Sequence, residues 1–323
     1  MRALVTGAAG QDGTILSTYL ARDRVDVVGL VKPGTDTRLL RAYAPGIQIV
    51  EADLADVDAL RRTVIDAAPD QIYNLGGFTS PSASWEHEPD VLRINRDAVV
   101  ALLDAQAHLP GARLFQASSA SIFEGADRSP QTEASERFPR SPYARTKAQA
   151  MELVDEARAA GRFAVCGILY NHESPLRGED FVTRKVSMGV ARIAAGLQDT
   201  IDLGDVEVAR DWGWAPDYVN AMRLMLSVDV PHDYVLATGI SHRLTYFIAK
   251  AFAAAGISNW QPHVTSHSER KHLADTNILV GDARSAYVEL GWRHTVDLDR
   301  MAAIMVRHDL ALLADPQARW EIP

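Results

Sequence analysis

Cysteine is almost absent: one residue, Cys166, in a chain of 323. An intrachain disulfide is therefore excluded. Cys166 itself lies in the apolar run Phe163 to Leu169, which reads as a buried strand rather than the setting of a nucleophile. No apolar stretch reaches the roughly 18–20 residues that a membrane-spanning helix needs. Met1 runs straight into a strand, with no signal peptide ahead of it. His172 has no second histidine at ligand spacing, so it reads as a packed or hydrogen-bonding residue and no metal site is expected. Positive charge is also in deficit: the net charge is −9 and the pI near 5.6, which argues against nonspecific nucleic-acid binding. No repeat, low-complexity tract or long linker interrupts the chain. These absences predict a soluble, cytoplasmic protein with neither nucleic-acid nor membrane partners.

What is present is 47% hydrophobic, enough for a large core in one domain or two interleaved ones. Arg2 to Thr6 reads as a strand. It is followed by Gly7-Ala-Ala-Gly10-Gln11-Asp12-Gly13 and a helix through about Ala21. Glycines spaced G-x-x-G-x-x-G between a strand and a helix allow a tight turn, close backbone approach to a pyrophosphate, and close helix–strand packing. A glycine triplet alone is weak; in this place it predicts a dinucleotide site. A second strand, Val25 to Val31, ends in Lys32-Pro33-Gly34-Thr35, with Arg38 beyond. Enzymes that prefer NAD usually carry an acid there for the ribose 2′-hydroxyl. A cation suits a 2′-phosphate, so NADP is favoured over NAD; the blander alternative is that Lys32 is a solvated loop residue. Ile47 to Val50 is a third strand followed by Asp53 and Leu54, and Gln71 to Leu75 is a fourth, ending in Gly76-Gly77. Helices are expected over Ala59–Ala68 and Asp90–His108, and Arg113 to Ala117 reads as a fifth strand that delivers Ser118, Ser119 and Ser121. Strands alternating with helices predict an α/β, Rossmann-type doubly wound parallel sheet.

Ser141-Pro142 precedes a run of helix formers from Ala144 to Ala157, so a helix begins near Tyr143. Tyr143 and Lys147 are four residues apart and share one face of it. An ammonium beside a phenol favours the phenolate, lowering a pKa of about 10 toward the working range. Such a tyrosine can move a proton to or from a substrate alcohol while a hydride moves elsewhere. A Tyr-x-x-x-Lys spacing means little alone; its place downstream of a dinucleotide fingerprint makes it specific.

Phe163 to Tyr170 forms a further strand that opens into the polar loop Asn171 to Lys185. Loops at the carboxyl ends of parallel strands carry ligand sites, and Arg177, Arg184, Lys185 and Arg210 are candidates to clamp a diphosphate. A strand at Tyr234–Thr238 and a helix at Leu244–Ala255 follow, then small α/β elements through Leu313. Residues 1–170 with about 211–240 are expected to form the cofactor domain. Residues 171–210 and 241–323 are expected to form a smaller C-terminal α/β substrate lobe.

These motifs together resemble the extended short-chain dehydrogenase/reductases and, among them, the GDP-mannose 4,6-dehydratase family. The resemblance runs almost end to end. It is densest in Val5–Gly13, Tyr73-Asn-Leu-Gly76, Asn171-His-Glu-Ser-Pro with Phe181-Val-Thr-Arg-Lys185, and Arg210-Asp-Trp-Gly213 with Asp217-Tyr218-Val219. Leu279-Val-Gly-Asp282 and Leu290-Gly-Trp292 also fit. The resemblance places Ser119, Ser121, Tyr143 and Lys147 at the catalytic positions. It implies cofactor contacts from Gly7, Gly10, Gln11, Asp12, Gly13, Lys32, Asp53, Leu54, Leu75 and Gly76, and from Tyr143 and Lys147. It further implies GDP-sugar contacts from Thr79, Asn171, Val182, Lys185 and Arg210, and a homodimer or homotetramer. The pairing surface would be a four-helix bundle built from Asp90–His108 and Tyr143–Ala160, with Val99, Leu102, Leu103, Met151 and Val154 on it.

Three departures stand out. The family's dehydratase glutamate, in a Ser-Thr-x-Glu-x-Tyr-Gly stretch, aligns with Ser121 of Ser118-Ser119-Ala120-Ser121-Ile122-Phe123-Glu124. A serine hydroxyl has no useful basicity near neutral pH, and Glu124, taken as a strand-end residue, would point elsewhere. The family's Arg-Arg-Ser-Ser cofactor loop is replaced by Lys32-Pro33-Gly34-Thr35. Its Arg-Pro-x-Glu aligns with His272-Leu273-Ala274-Asp275, which loses a fixed positive charge. The expected function is thus NAD(P)-dependent chemistry at C4 of a GDP-hexose, as a dehydrogenase, ketoreductase or 4-epimerase. The alternatives are a 4,6-dehydratase that recruits another acid, such as Glu124 or Glu86, and, from a different class, a non-catalytic NADP-binding regulator. Intact Ser119, Tyr143 and Lys147 argue against the last.

Overall fold

The computed structural model describes residues 1–267 and 279–323; the expectation at His272–Asp275 lies outside them. In chain order the strands are β1 (Arg2–Thr6), β2 (Asp26–Val31), β3 (Gln48–Glu51), β4 (Gln71–Asn74), β5 (Arg113–Ala117), β6 (Ala164–Leu169), β7 (Asn171–Glu173), β8 (Ile201–Leu203), β9 (Ala209–Trp214), β10 (Tyr234–Leu236), β11 (Ser241–Arg243) and β12 (Val264–Ser266). The helices are α1 (Gln11–Arg22), α2 (Arg38–Tyr43), α3 (Val57–Ala67), α4 (Glu88–Leu92), α5 (Ala98–Ala107), α6 (Pro142–Ala159), α7 (Val182–Ala194), α8 (Ala215–Met225), α9 (Leu244–Ala254), α10 (Arg284–Leu290) and α11 (Leu298–Ala314).

Seven strands form one parallel sheet in the order β10-β6-β5-β4-β1-β2-β3. Its strands are near-continuous apolar runs because helices cover both faces. Along β6 every residue, Cys166 included, is buried. The chain winds outward in opposite directions from β1, so a crevice opens at the carboxyl ends of β1 and β4, where ligands of such sheets bind. The helix expected over Asp90–His108 is interrupted: a π turn, Arg93–Asp97, lies between α4 and α5. The turn aims the buried Asn95 amide at the loop after β4. Its Oδ1 accepts from Phe78 N at 2.8 Å and its Nδ2 donates to Phe78 O at 3.1 Å. π turns inside helices often mark functional positions.

The side chains expected on an intersubunit surface do not reach one. Val99, Leu102 and Val154 are fully buried, and Leu103 and Met151 nearly so, all within the sheet's own core.

A second hydrophobic cluster gathers α7, α9 and α11 around Val186, Phe247, Met301 and Met305. It holds Trp212 and Trp214, which are packing residues. Two small sheets flank it, one of order β11-β9-β7 and one pairing β12 with β8. A buried ion pair between Arg184 and Asp309 ties α7 to α11. Trp320 packs against both clusters.

Candidate active site

The glycine fingerprint makes the turn that its spacing predicts. Gly7 sits at φ +63°, and a Cβ there would lie 2.7 Å from Gly76 Cα. A Cβ on Gly13 would lie 2.3 Å from Gly7 O, so both glycines are required by close backbone approach. Helix α1 starts behind Gly10 with no side chain capping it, which leaves its first N–H groups for an anion. A cleft of about 420 Å³ opens there, lined by Gly7, Gly10, Lys32, Asp53, Leu54 and Gly76, together with Phe78 and Ile94. Its size, its glycine floor and the uncapped helix fit a dinucleotide. Lys32 Nζ stands 4.0 Å from Asp53 Oδ2 at the rim, largely in solvent. Arg38 is bound to Asp36 by its guanidinium, so Lys32 rather than Arg38 faces the cleft as a cation. Gln11 and Asp12 turn their side chains away from it. Gln11 Nε2 donates to His172 O at 3.1 Å, and Asp12 Oδ2 pairs with His172 Nε2 at 2.8 Å. They meet a ligand through backbone N–H groups or not at all.

The serines, the tyrosine and the lysine converge from β5 and α6. Ser141 caps α6 by accepting from Ala144 N at 3.1 Å, with Pro142 in the first turn, and this brings Tyr143 beneath the end of β5. The Ser119 hydroxyl lies beside the Tyr143 phenol, where it favours the ionised form. Lys147 Nζ donates to Ala117 O at 2.9 Å and lies 5.8 Å from the centre of the Tyr143 ring. Burial, acting first, raises the Tyr143 pKa above its ordinary value, and the nearby Glu124 charge adds to this. The Ser119 hydroxyl and the Arg177 charge pull the other way and do not overcome it. The expected lowering by Lys147 is therefore not what this site does. Burial also pushes the Lys147 ammonium down to about 8, so it stays mostly charged at neutral pH beside a protonated phenol.

Sequence reasoning missed what holds the lysine's acceptor. Gln116 Nε2 donates to the same Ala117 O at 2.8 Å. Gln116 Oε1 accepts from Asn74 Nδ2 at 2.7 Å, and Asn74 Oδ1 accepts from Thr6 Oγ1 at 2.6 Å. Thr6 Oγ1 in turn accepts from Gly76 N at 2.9 Å. This buried ladder joins the cleft floor to Lys147. Its signal was present as three polar residues near the ends of otherwise apolar strands.

Of the cations expected to clamp a diphosphate, Arg184 is withdrawn into its pair with Asp309. Arg177 lies over the Phe181 ring, its Nε 3.1 Å from Glu173 Oε2, and so faces the tyrosine side of the site. Lys185 is exposed in the first turn of α7, just beyond Val182. Arg210 is half-buried on β9, its Nη1 donating to Ala209 O at 2.9 Å. Asn171, which opens β7, and Thr79, in the loop after β4, are exposed. His172 is a packed, hydrogen-bonding residue as expected. It stacks on Tyr218 at 4.6 Å, and its Nδ1 lies 2.7 Å from Tyr170 O. Ser121 N donates to Ser119 Oγ at 3.2 Å, and the Ser121 side chain is half-buried at the turn. No cluster of metal-ligating side chains occurs, and no helix is long and apolar enough to cross a membrane, among the described residues.

A dinucleotide cleft on a doubly wound sheet, with serine, tyrosine and lysine gathered beside it, defines an extended short-chain dehydrogenase/reductase. The comparisons narrow that class. The family model for GDP-mannose 4,6 dehydratase matches residues 4–305. GDP-mannose 4,6 dehydratase 1 of Arabidopsis thaliana is 37% identical over 326 residues, covering 96% of this chain and 90% of its own length. The Homo sapiens GDP-mannose 4,6 dehydratase is 33% identical, with 96% and 92% covered. The chain belongs to the GDP-mannose 4,6 dehydratase family. Its fold is also that of a Thermus thermophilus UDP-glucose 4-epimerase solved with NAD (TM-score 0.82, 23% identity, 96% and 99% covered). A Pseudomonas aeruginosa RMD complexed with NADPH shares it too (TM-score 0.77, 21% identity, 96% and 99% covered).

Proposed function

We propose that this enzyme oxidises or reduces C4 of a GDP-hexose with NADP, as a dehydrogenase, ketoreductase or 4-epimerase, and does not dehydrate the sugar. The observation that carries the reading is Ser121 in place of the dehydratase glutamate, beside an assembled Ser119, Tyr143 and Lys147. With the C4 oxygen between Ser119 and Tyr143, the serine hydroxyl orients it and the phenol gives or takes its proton. A bound nicotinamide supplies or accepts the hydride. Burial keeps Tyr143 protonated, which suits donation to a C4 carbonyl. Lys147, held on Ala117 O, keeps a positive charge one helical turn away. Lys32 at the cleft rim favours NADP over NAD by attracting a 2′-phosphate. The GDP moiety is inferred from the relatives. It would run past Thr79 and Asn171 toward Val182, Lys185 and Arg210.

Dehydration needs a base to remove the C5 proton and an acid for the departing C6 hydroxyl. One carboxyl group of tuned pKa can serve both; a serine cannot. Losing a general acid–base group costs about 10²–10⁴ in rate, roughly 3–5 kcal/mol of barrier. The two carboxylates that could replace it are otherwise placed. Glu86 is exposed, and Glu124 accepts from Ser141 N at 2.9 Å and Ser141 Oγ at 3.0 Å. The test is to incubate the protein with GDP-mannose and NADP in D₂O, then take a mass spectrum and follow deuterium at C5. Loss of two hydrogens or formation of an isomer, without loss of water, is expected. Rapid C5 deuteration with loss of water would restore the dehydratase reading. No change in any cofactor would point to a non-catalytic NADP-binding protein.

A further inference from the structure

Glu124 stands where the resembled family pattern has a glycine, and the residue is 4% exposed, beside the site. It does not extend a strand. Residues Ala120–Phe123 form a 3₁₀ turn with Glu124 at its C-cap, and Glu124 N donates to Ser121 O at 3.0 Å. With three residues per turn, Glu124 falls on the same face as Ser121 rather than the opposite one. Its carboxylate turns toward the start of the tyrosine helix. Oε2 accepts from Ser141 N at 2.9 Å and Arg140 N at 3.3 Å, and Oε1 accepts from Ser141 Oγ at 3.0 Å. Ser141 is the residue that caps α6, two positions before Tyr143. The backbone laces the same two segments together: Phe138 N donates to Ile122 O at 2.7 Å, and Gly125 N to Phe138 O at 2.9 Å. One carboxylate thus grips both the turn that carries Ser119 and Ser121 and the helix that carries Tyr143.

We propose that Glu124 is a positioning residue whose carboxylate fixes the tyrosine helix to the serine turn and sets a negative charge beside the Tyr143 phenol. The proposal rests on the reading of Tyr143 as the proton-transfer group. It goes beyond it by assigning what sets the tyrosine's place and proton affinity. The charged and titratable groups around that phenol are Glu124 from the turn, Arg177 from the loop after β7, and Lys147 from its own helix. Arg177 favours the phenolate and Glu124 opposes it. Burial is what chiefly keeps the phenol protonated; a carboxylate in this place adds a smaller push in the same direction, toward donating a proton to a carbonyl oxygen.

Two variants separate charge from anchoring. Glu124→Gln keeps the size and removes the charge; Glu124→Asp keeps the charge and shortens the reach. The Tyr143 ring carbon bearing the hydroxyl is followed by ¹³C NMR against pH in the intact protein, its signal assigned by loss in Tyr143→Phe. This readout needs no substrate, so it stands even where the proposed reaction fails. In Glu124→Gln the Tyr143 signal is expected to start titrating at lower pH than in wild type, by about half a unit or more. Glu124→Asp is expected to leave that onset near wild type. With substrate, it should lower kcat about tenfold or more while KM moves little, through misplacement of the phenol. An unchanged Tyr143 titration in a folded Glu124→Gln protein would overturn the charge assignment. Wild-type kcat in Glu124→Asp would overturn the positional one.

Discussion

Tyr143 and Lys147 share a helix face, yet the environment across from that face decides what each does. The phenol is buried beside Ser119 and pushed toward its protonated form, while the ammonium is held by Ala117 O and pushed down to about 8. On the proposed reading, in which the phenol's hydroxyl serves proton transfer alone, Tyr143→Phe is expected to lower turnover by about 10²–10⁴ and to leave cofactor affinity within a few-fold. Turnover assays alongside a cofactor-binding titration check both halves; near wild-type turnover would remove Tyr143 from the mechanism. Tyr143, Lys147 and the fingerprint glycines were legible in the sequence because each follows from local spacing: a four-residue helical step, or a turn that only glycine can make; Ser119 came only from the family resemblance. Arg184, Asn95 and Glu124 were not legible. The first is claimed by Asp309, 125 residues on; the second is aimed by a π turn; the third lies on a 3₁₀ turn where a strand end was expected.

At the scale of elements, the loop that opens α1 and the loop that follows β6 are clasped. Gln11 donates to His172 O and accepts from Ser174 Oγ at 2.8 Å, and Asp12 pairs with His172. Both His172 ring nitrogens face oxygen acceptors, Asp12 on one side and Tyr170 O on the other, as an imidazolium requires. Burial alone would lower the His172 pKa, but the Asp12 charge and hydrogen bond outweigh it and the net shift is upward. Burial would raise Asp12, and His172 outweighs that, so its net shift is downward. A raised histidine contributes stability that is fully present below 6.5 and is lost as pH rises through the higher folded value. A depressed aspartate contributes stability that is present above 3.8 and is lost as pH falls through the lower folded value. The pair is therefore fully effective between these two ordinary values. Asp12→Asn should destabilise the protein at pH 6 and lose less of its remaining stability than wild type as pH rises from 6 to 9. Scanning calorimetry of both proteins across that range measures it. Buried Lys147 titrates in the same window but is common to both, so it cancels in the difference. Parallel curves for the two proteins would show that the pair is not ionised as described.

At the scale of the whole molecule, the doubly wound parallel sheet followed from the alternation of apolar strands and helices, since alternating strands and helices point to a parallel sheet covered on both faces. What alternation does not contain is how the second cluster is fastened to the first. That depends in part on contacts hundreds of residues apart, several of which lie in the last five residues. Trp320 packs in both cores and meets Trp214 edge-on at 5.3 Å. Its carbonyl accepts from Tyr43 Oη at 2.7 Å, Arg319 donates to Ala42 O at 3.1 Å, and Arg22 donates to Ile322 O and Pro323 O, each at 2.8 Å. This segment leaves the far end of α11 and straps the second cluster to α1 and α2. The proposed site draws Tyr143 from α6, which packs in the first cluster, and the first turn of α7, which packs in the second, so on that reading their fastening also holds the site together. Full truncation of a buried tryptophan costs about 3–5 kcal/mol; Trp320 is only half-buried, so Trp320→Ala is expected to cost about 2 kcal/mol. The loss should fall on coupling rather than on either core, because each core keeps its own buried residues. Urea unfolding followed by both tryptophan fluorescence and far-UV circular dichroism reads the difference. Coincident transitions are expected for wild type, and transitions that separate by probe for Trp320→Ala. A variant that unfolds in one transition, within about half a kcal/mol of wild type, would mean that the tail is ornamental and that the clusters are joined elsewhere.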